Sequence, residues 1–211
     1  MRRLRSLATV AAAGLLLLFA LPSSCPWDSA VAYEEVLSCD DGDSDWQYAQ
    51  GWEGCRHVAK YEAPEWANWL VGAQYCVGYF NEFYLIVIGP SESSPAPGDS
   101  VQYVQLVPDM GDAQSRFDWL EVRLEEPVQI RNSGAFPGGV FFVGAEWIHY
   151  LQPWFALDMV APVHGCTWHM TPGNPWQHYT IGDVMIRAIV SDTIGTPVGG
   201  ATWSAVKALY R

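Results

Sequence analysis

Basic side chains are scarce in this 211-residue chain: 11 Lys and Arg stand against 23 Asp and Glu, a net charge of −12. With no basic stripe to oppose that charge, the surface repels phosphate backbones and anionic lipid, so nucleic acid is disfavoured as a partner. Helical periodicity is also scarce, and beyond the N-terminal leader no apolar run is long enough to cross a bilayer. Hydrolase signatures are missing as well: there is no Gly-x-Ser-x-Gly and no His-Glu-x-x-His. Gly42-Asp43-Ser44 and Gly98-Asp99-Ser100 mimic the start of one serine-hydrolase motif. Such a nucleophile follows a parallel strand and opens a helix, and this chain offers no alternating helices. The expectation is a non-catalytic domain.

The leader itself is informative. Arg2, Arg3 and Arg5 precede an apolar run over residues 7–21, the pattern of a signal peptide, so residues 1–32 are expected to be removed on export. Ala30-Val31-Ala32 fits a small-x-small cleavage site, whereas Cys25 faintly resembles a lipoprotein box and offers a lipid anchor as the alternative. Loss of Arg2, Arg3, Arg5 and Asp28 takes the net charge from −12 to −14, an acidic surface suited to a secreted or cell-surface protein. Cys39, Cys55, Cys76 and Cys166 then remain. In an oxidising compartment an even set predicts two disulfides with three possible pairings. Cys39 with Cys55 is preferred because they flank an acidic turn, leaving Cys76 with Cys166. Exported thiols oxidise, which disfavours zinc at His164, Cys166 and His169.

Apolar and aromatic stretches of strand length recur between Gly, Pro, Asn and Asp clusters, which predicts an all-β sandwich over residues 33–190. Strands are expected at 56–61, 69–75, 82–88, 100–106, 118–124, 140–146 and 183–190. In the first, Arg56 and Lys60 share one face while Ala59 and Tyr61 share the other. Around 118–124, Leu120, Val122 and Leu124 should point inward and Trp119, Glu121 and Arg123 toward water. Residues 83–88 and 140–143 are apolar on both faces and read as central strands. Residues 89–98 carry Pro90, Pro95 and Pro97 and read as a surface loop. Residues 152–180 hold four prolines, three tryptophans and three histidines and read as a long irregular loop of the kind that carries binding sites. The tail, 191–211, has Trp203, Val206 and Tyr210 at helical spacing and is expected to hold a short helix or to fray.

The order of segments is similar to a known group. An Asp40-Asp41-Gly42 opening, Tyr61-Glu62-Ala63-Pro64, Pro97-Gly98, Trp119 in a strand, Ser133-Gly134 before Phe141-Phe142-Val143-Gly144, Leu157-Asp158, Trp176 and a closing Met185-Ile186-Arg187-Ala188 follow in turn. Together they resemble the jelly-roll accessory domains of secreted bacterial proteins, in the broad group that includes cleaved-adhesin domains. The resemblance implies a two-sheet antiparallel jelly roll, structural calcium in some members, and roles in adhesion or substrate holding.

Two sites follow from side-chain chemistry. Asp41, Asp43 and Asp45 occupy the first, third and fifth places of an Asp-x-Asp-x-Asp loop, where alternate carboxylates converge on a hard cation such as Ca2+. Trp46 and Trp52 stand where an EF-hand needs Gly and a bidentate carboxylate. A distant carboxylate such as Asp158 could complete a sandwich-type site, which the resemblance permits but does not require. Against this stands a solvated acidic turn whose Asp side chains cap backbone donors. The second candidate is an aromatic platform of Trp154, Trp168, Trp176 and Tyr179, with Trp66 and Trp69 as outliers, on which sugar rings could stack. Eleven Trp, ten Tyr and eight Phe also suit plain core packing. Adhesion, surface scaffolding or capture of an extracellular protein or polysaccharide is the leading expectation, with a carbohydrate-binding module second and a small secreted hydrolase a distant third. Glu121 and Glu125 read as a wet strand face rather than a glycosidase pair.

Overall fold

The computed structural model describes residues 32–42, 47–49, 51–79, 81–109, 118–150, 152–159 and 165–194. The leader with Cys25, and the helix expected near residue 203, lie outside the described residues. Strands are β1 (Glu34–Leu37), β2 (Gln47–Ala49), β3 (Arg56–Glu62), β4 (Trp69–Tyr79), β5 (Phe83–Pro90), β6 (Pro97–Val107) and β7 (Asp118–Gln129). They continue with β8 (Val140–Trp147), β9 (Trp154–Asp158), β10 (Thr167–Met170), β11 (Gln177–His178), β12 (Asp183–Val184) and β13 (Ile186–Ser191). A single 3-10 turn, Pro137–Gly139, is the one helical element among the described residues.

Every pairing is antiparallel. The first sheet runs β1-β13-β4-β9-β12, with β7 also on β4 and β2 also on β9; the second runs β11-β10-β3-β8-β5-β6. The pairs β3–β8, β4–β7 and β5–β6 are nested in sequence and alternate between the sheets. One long two-stranded ribbon is thus rolled over itself, which is the connectivity of a jelly roll.

The period-two pattern explains which side chains meet. In β3, His57, Ala59 and Tyr61 point between the sheets, while Arg56, Val58 and Lys60 lie on the outer side. Val122 and Leu124 of β7 are buried and Glu121 and Arg123 exposed, as alternation requires. β8 and β5, apolar on both faces, hold internal positions in the second sheet. Two buried tyrosines tie the layers together. Tyr75 of β4 donates to the Gly144 carbonyl of β8 at 2.9 Å, and Tyr61 of β3 donates to the Ile186 carbonyl of β13. Each phenol thus satisfies a backbone acceptor of the opposite sheet, inside a core of Phe83, Phe141, Phe155, Leu85 and Trp147.

Three expectations need correction. Residues 152–180 are not one irregular loop, because β9, β10 and β11 lie within them. Proline reads as a strand breaker, but here Pro153, Pro172 and Pro175 fall between strands. Likewise, Pro90 and Pro97 are the last and first residues of β5 and β6 and face each other across the hairpin, where neither interrupts an interior ladder. Finally, 183–190 is broken at Met185, whose N–H turns to the Ala156 carbonyl at 2.9 Å while its own carbonyl accepts from Cys76 at 3.0 Å.

The cysteine pairing also differs from the preferred one. Cys39 is bonded to Cys166, and Cys55 and Cys76 are free and buried. Cys39 follows β1 in the first sheet, whereas Cys55 enters β3 of the second and turns into the core. Sequence proximity therefore does not become spatial proximity. Cys76 packs with Ala156, Met185 and Trp119 on the outer side of the first sheet. Burial, with the Asp40 charge adding to it, pushes that thiol up to about 12, so it is inert at neutral pH.

Candidate functional site

The outer side of the second sheet carries apolar residues where water would be expected. Cross-strand register lays them out in rows. Trp168, Val58, Gly144, Ile86 and Val104 face one another in turn from β10 to β6. The row on one side is Met170, Arg56, Glu146, Tyr84 and Leu106; on the other it is Lys60, Phe142, Ile88 and Val101. Val58, Ile86, Ile88 and Phe142 are fully buried and form a cluster bordered by Val101, Val140, Trp168 and Trp176. They lie on the side away from the inner core, so this sheet is sealed on both faces along part of its width.

Trp176 belongs to the connection between β10 and β11, yet its indole Nε1 donates to the Gly98 carbonyl in β6 at 3.2 Å. The connection therefore straps across the sheet over the buried cluster. Beyond it the floor continues into the open: Tyr84 is 38% exposed, Val104 58% and Leu106 47%. Tyr84 and Leu106 are direct cross-strand partners. Beside Tyr84 lies the Arg56–Glu146 ion pair at 2.6 Å, half-buried and set between apolar neighbours. Gly144 occupies the centre of the middle row, and any side chain there is forbidden: a Cβ would stand 2.0 Å from the His57 carbonyl oxygen.

On the inner side of the same β3–β10 joint, His57 and His169 are register partners with ring centroids 5.7 Å apart and planes 28° from parallel. Tyr179 packs edge-on to both, and Trp147 edge-on to His57. Both Nδ1 atoms are buried and find no hydrogen-bond partner among the described residues. Burial holds the His57 imidazole down to about 3, the neighbouring His169 adding to the effect, and burial lowers His169 as well.

An acidic corner lies where β9 and β12 meet. Asp158 and Asp183 are buried register partners. Asp183 accepts from the N–H groups of Gly165 and Cys166 and from the Thr167 hydroxyl, each at 3.2 Å, so it fixes the start of β10. Asp158 Oδ2 accepts from the Asp41 N–H at 2.9 Å. Asp40 is paired with Arg187, whose guanidinium also lies 3.9 Å from the centre of the Trp119 ring. The structure thus brings Asp41 to Asp158, while Asp43 and Asp45 lie outside the described residues. Among the described residues no three His, Cys, Asp or Glu side chains converge as a metal-binding set.

The four platform aromatics divide between locations. Trp168 and Trp176 share the outer face of the second sheet. Tyr179 packs against the inner core, and Trp154 lies on β9 of the first sheet, 5.4 Å from the Tyr79 ring. Trp66 packs edge-on to Tyr33 and Trp69 opens β4. The sequence marks Tyr84, Val104 and Leu106 only as strand residues; the alternation of Val104 and Leu106 with Gln105 is the local signal, and their place on the strand that ends the sheet comes from the pairing. An open cleft of about 450 Å³ also runs between β1 and β3, lined by Glu35, Lys60, Tyr61 and Glu62 and reaching Cys39. No helix among the described residues is long and apolar enough to cross a membrane. No family model matches the chain, and neither a curated protein nor a solved structure matches it.

Proposed function

We propose that this chain is an exported, non-catalytic binding domain that acts in adhesion, surface scaffolding or ligand capture through the outer face of its second sheet. The observation that carries this is the apolar strip Tyr84–Val104–Leu106, which continues a buried floor beside the Arg56–Glu146 pair. Contiguous exposed apolar residues rimmed by charge are how binding faces differ from ordinary solvated strands. The reading is tested by binding of the full chain to a panel of insoluble polysaccharides and immobilised extracellular-matrix proteins. Leu106→Asp is expected to abolish any retention that the unaltered chain shows; retention unchanged in Leu106→Asp contradicts the assignment.

A carbohydrate ligand is the second reading, supported by Trp168 and Trp176 on that same face, since flat aromatic rings match the apolar faces of sugars. Titration with soluble oligosaccharides should then quench or shift tryptophan emission. The acidic turn is proposed to hold a structural Ca2+ with Asp41, Asp43, Asp45 and Asp158, a reading supported by the Asp41–Asp158 contact across 117 residues. Calcium should raise the melting temperature by mass action, and an identical melt in chelator and in millimolar calcium would remove the site.

A further inference from the structure

We propose that the stacked pair His57–His169 is a proton-operated latch that holds the β10–β11 hairpin, with Trp168 and Trp176, closed over the outer face of the second sheet. β10 is four residues long and alternates, so one short strand has two jobs. Its inward residue His169 stacks on His57, and its outward residue Trp168 borders the buried outer cluster. Nothing that loosens the inner contact leaves the outer one unaffected.

The two ends of the hairpin differ in how they are tied. The start of β10 is fixed by the Cys39–Cys166 bond and by three hydrogen bonds to Asp183. The far part, from His169 through Trp176, is held by backbone pairing to β3, by the imidazole–Tyr179 packing and by the Trp176–Gly98 bond. It is therefore the part free to swing, with the disulfide end as the pivot.

The packing around the rings makes them sensitive to protons. β8 presents Trp147 and Ala145, the segment after β11 presents Tyr179, β10 presents His169, and β3 itself carries Cys55 two residues earlier. The carboxylate of β12, Asp183, is committed to Gly165, Cys166 and Thr167 at the start of β10, so an imidazolium at His57 gains no free anion and suffers from its neighbour. The tyrosine offers no relief, because burial raises its phenol further from ionisation. The closed hairpin thus demands neutral rings, and proton uptake favours release.

In the released hairpin the rings titrate at the ordinary imidazole value. Below 6.5 each pH unit therefore favours release about tenfold for each ring kept neutral in the closed form. His57, held down to about 3, alone gives an increase of about 30-fold at pH 5.0. Release uncovers Val58, Ile86, Ile88 and Phe142, widening the apolar face beyond Tyr84, Val104 and Leu106. This consequence for binding rests on the outer-face assignment, whereas the latch does not.

The test is amide hydrogen exchange of the full chain at pH 7.5 and 5.0, corrected for intrinsic exchange rates. The opening constant of residues 168–178 is expected to rise at least 30-fold while β4 and β7 keep their protection. Histidine ring titration by NMR supplies a second readout that needs no variant: one imidazole still neutral at pH 5.0 is expected. His57→Phe keeps an aromatic ring without the titrating nitrogen and should flatten the pH response of 168–178. An unchanged opening constant, loss of protection in both sheets together, or an undiminished pH response in His57→Phe would each overturn the latch. Should His57→Phe not fold, His169→Phe takes its place with the same expectation. Binding to the polysaccharide and matrix panel is scored separately, so failure of Leu106→Asp to alter it sinks the face and not the latch.

Discussion

The outer faces of the two sheets differ in what they leave exposed. On the first, charges answer one another: Arg123 reaches Glu34 at 2.8 Å and Glu121 at 2.7 Å, Gln74 donates to Glu121 at 3.1 Å, and Arg187 pairs with Asp40 over Trp119. On the second, the corresponding positions are Val58, Ile86, Ile88 and Phe142, sealed under a strap, with Tyr84, Val104 and Leu106 left in the open. Water solvates the exposed Arg123 pairs of the first face at little cost, although Asp40, Cys76, Ala156 and Met185 are buried there. The second face is stable only when covered, and part of it is not. That asymmetry, rather than the aromatic content of the chain, is what supports the second outer face as the proposed binding surface.

Truncation should sharpen the contrast most strongly. Phe142→Ala on the second outer face is expected to cost about 3–5 kcal/mol, the loss seen for a core phenylalanine, because the side chain is fully enclosed. Urea titrations that give less than about 1 kcal/mol would mean that the strap is not closed in solution. Breaking the anchor of that strap comes next. Replacing Cys39 and Cys166 by serine opens a loop closed over 127 residues and should lower stability by about 2–5 kcal/mol. Tyr75→Phe, which removes one tie between the sheets, leaves the buried Gly144 carbonyl without its phenol and should cost about 1–3 kcal/mol. Arg123→Ala on the first outer face stands last, within about 1 kcal/mol of the unaltered protein, since both its ion pairs are exposed.

Acid should separate the two sheets in the same way. His57 is neutral when folded and its value falls from 6.5 to about 3, so its contribution is fully present above pH 6.5. That contribution is lost progressively as the pH falls from 6.5 toward 3, a steeper decline than the chain with His57→Phe should show.

How much of this was legible in the sequence depends on distance along the chain. Strands could be read where the signal is local: Arg56 and Lys60 opposite Ala59 and Tyr61, or Val122 and Leu124 between Glu121 and Arg123, need no knowledge of partners, and neither do the apolar runs at 83–88 and 140–143. β9, covered on both sides, shows no alternation in Trp-Phe-Ala-Leu-Asp and hides among prolines. β10 and β11 are too short to show any. Pairings across the fold were out of reach for a different reason. His57 meets His169 because β10 lies beside β3, and Cys39 meets Cys166 because the segment after β1 reaches the same end of β3; no local pattern encodes either approach. Asp41 reaches Asp158 across 117 residues through its backbone N–H, and Asp183, which binds the start of β10, looks in sequence like an ordinary residue at a strand's entry.

The central claim is that the second sheet's outer face, and not the first's, is where a ligand is held. Its most direct test compares Leu106→Asp with Glu121→Ala in retention on the polysaccharide and matrix-protein panel, with folding of both checked by near-ultraviolet circular dichroism. Loss of retention in Leu106→Asp with full retention in Glu121→Ala is the predicted result. The reverse pattern, or equal retention by both folded variants, would contradict it.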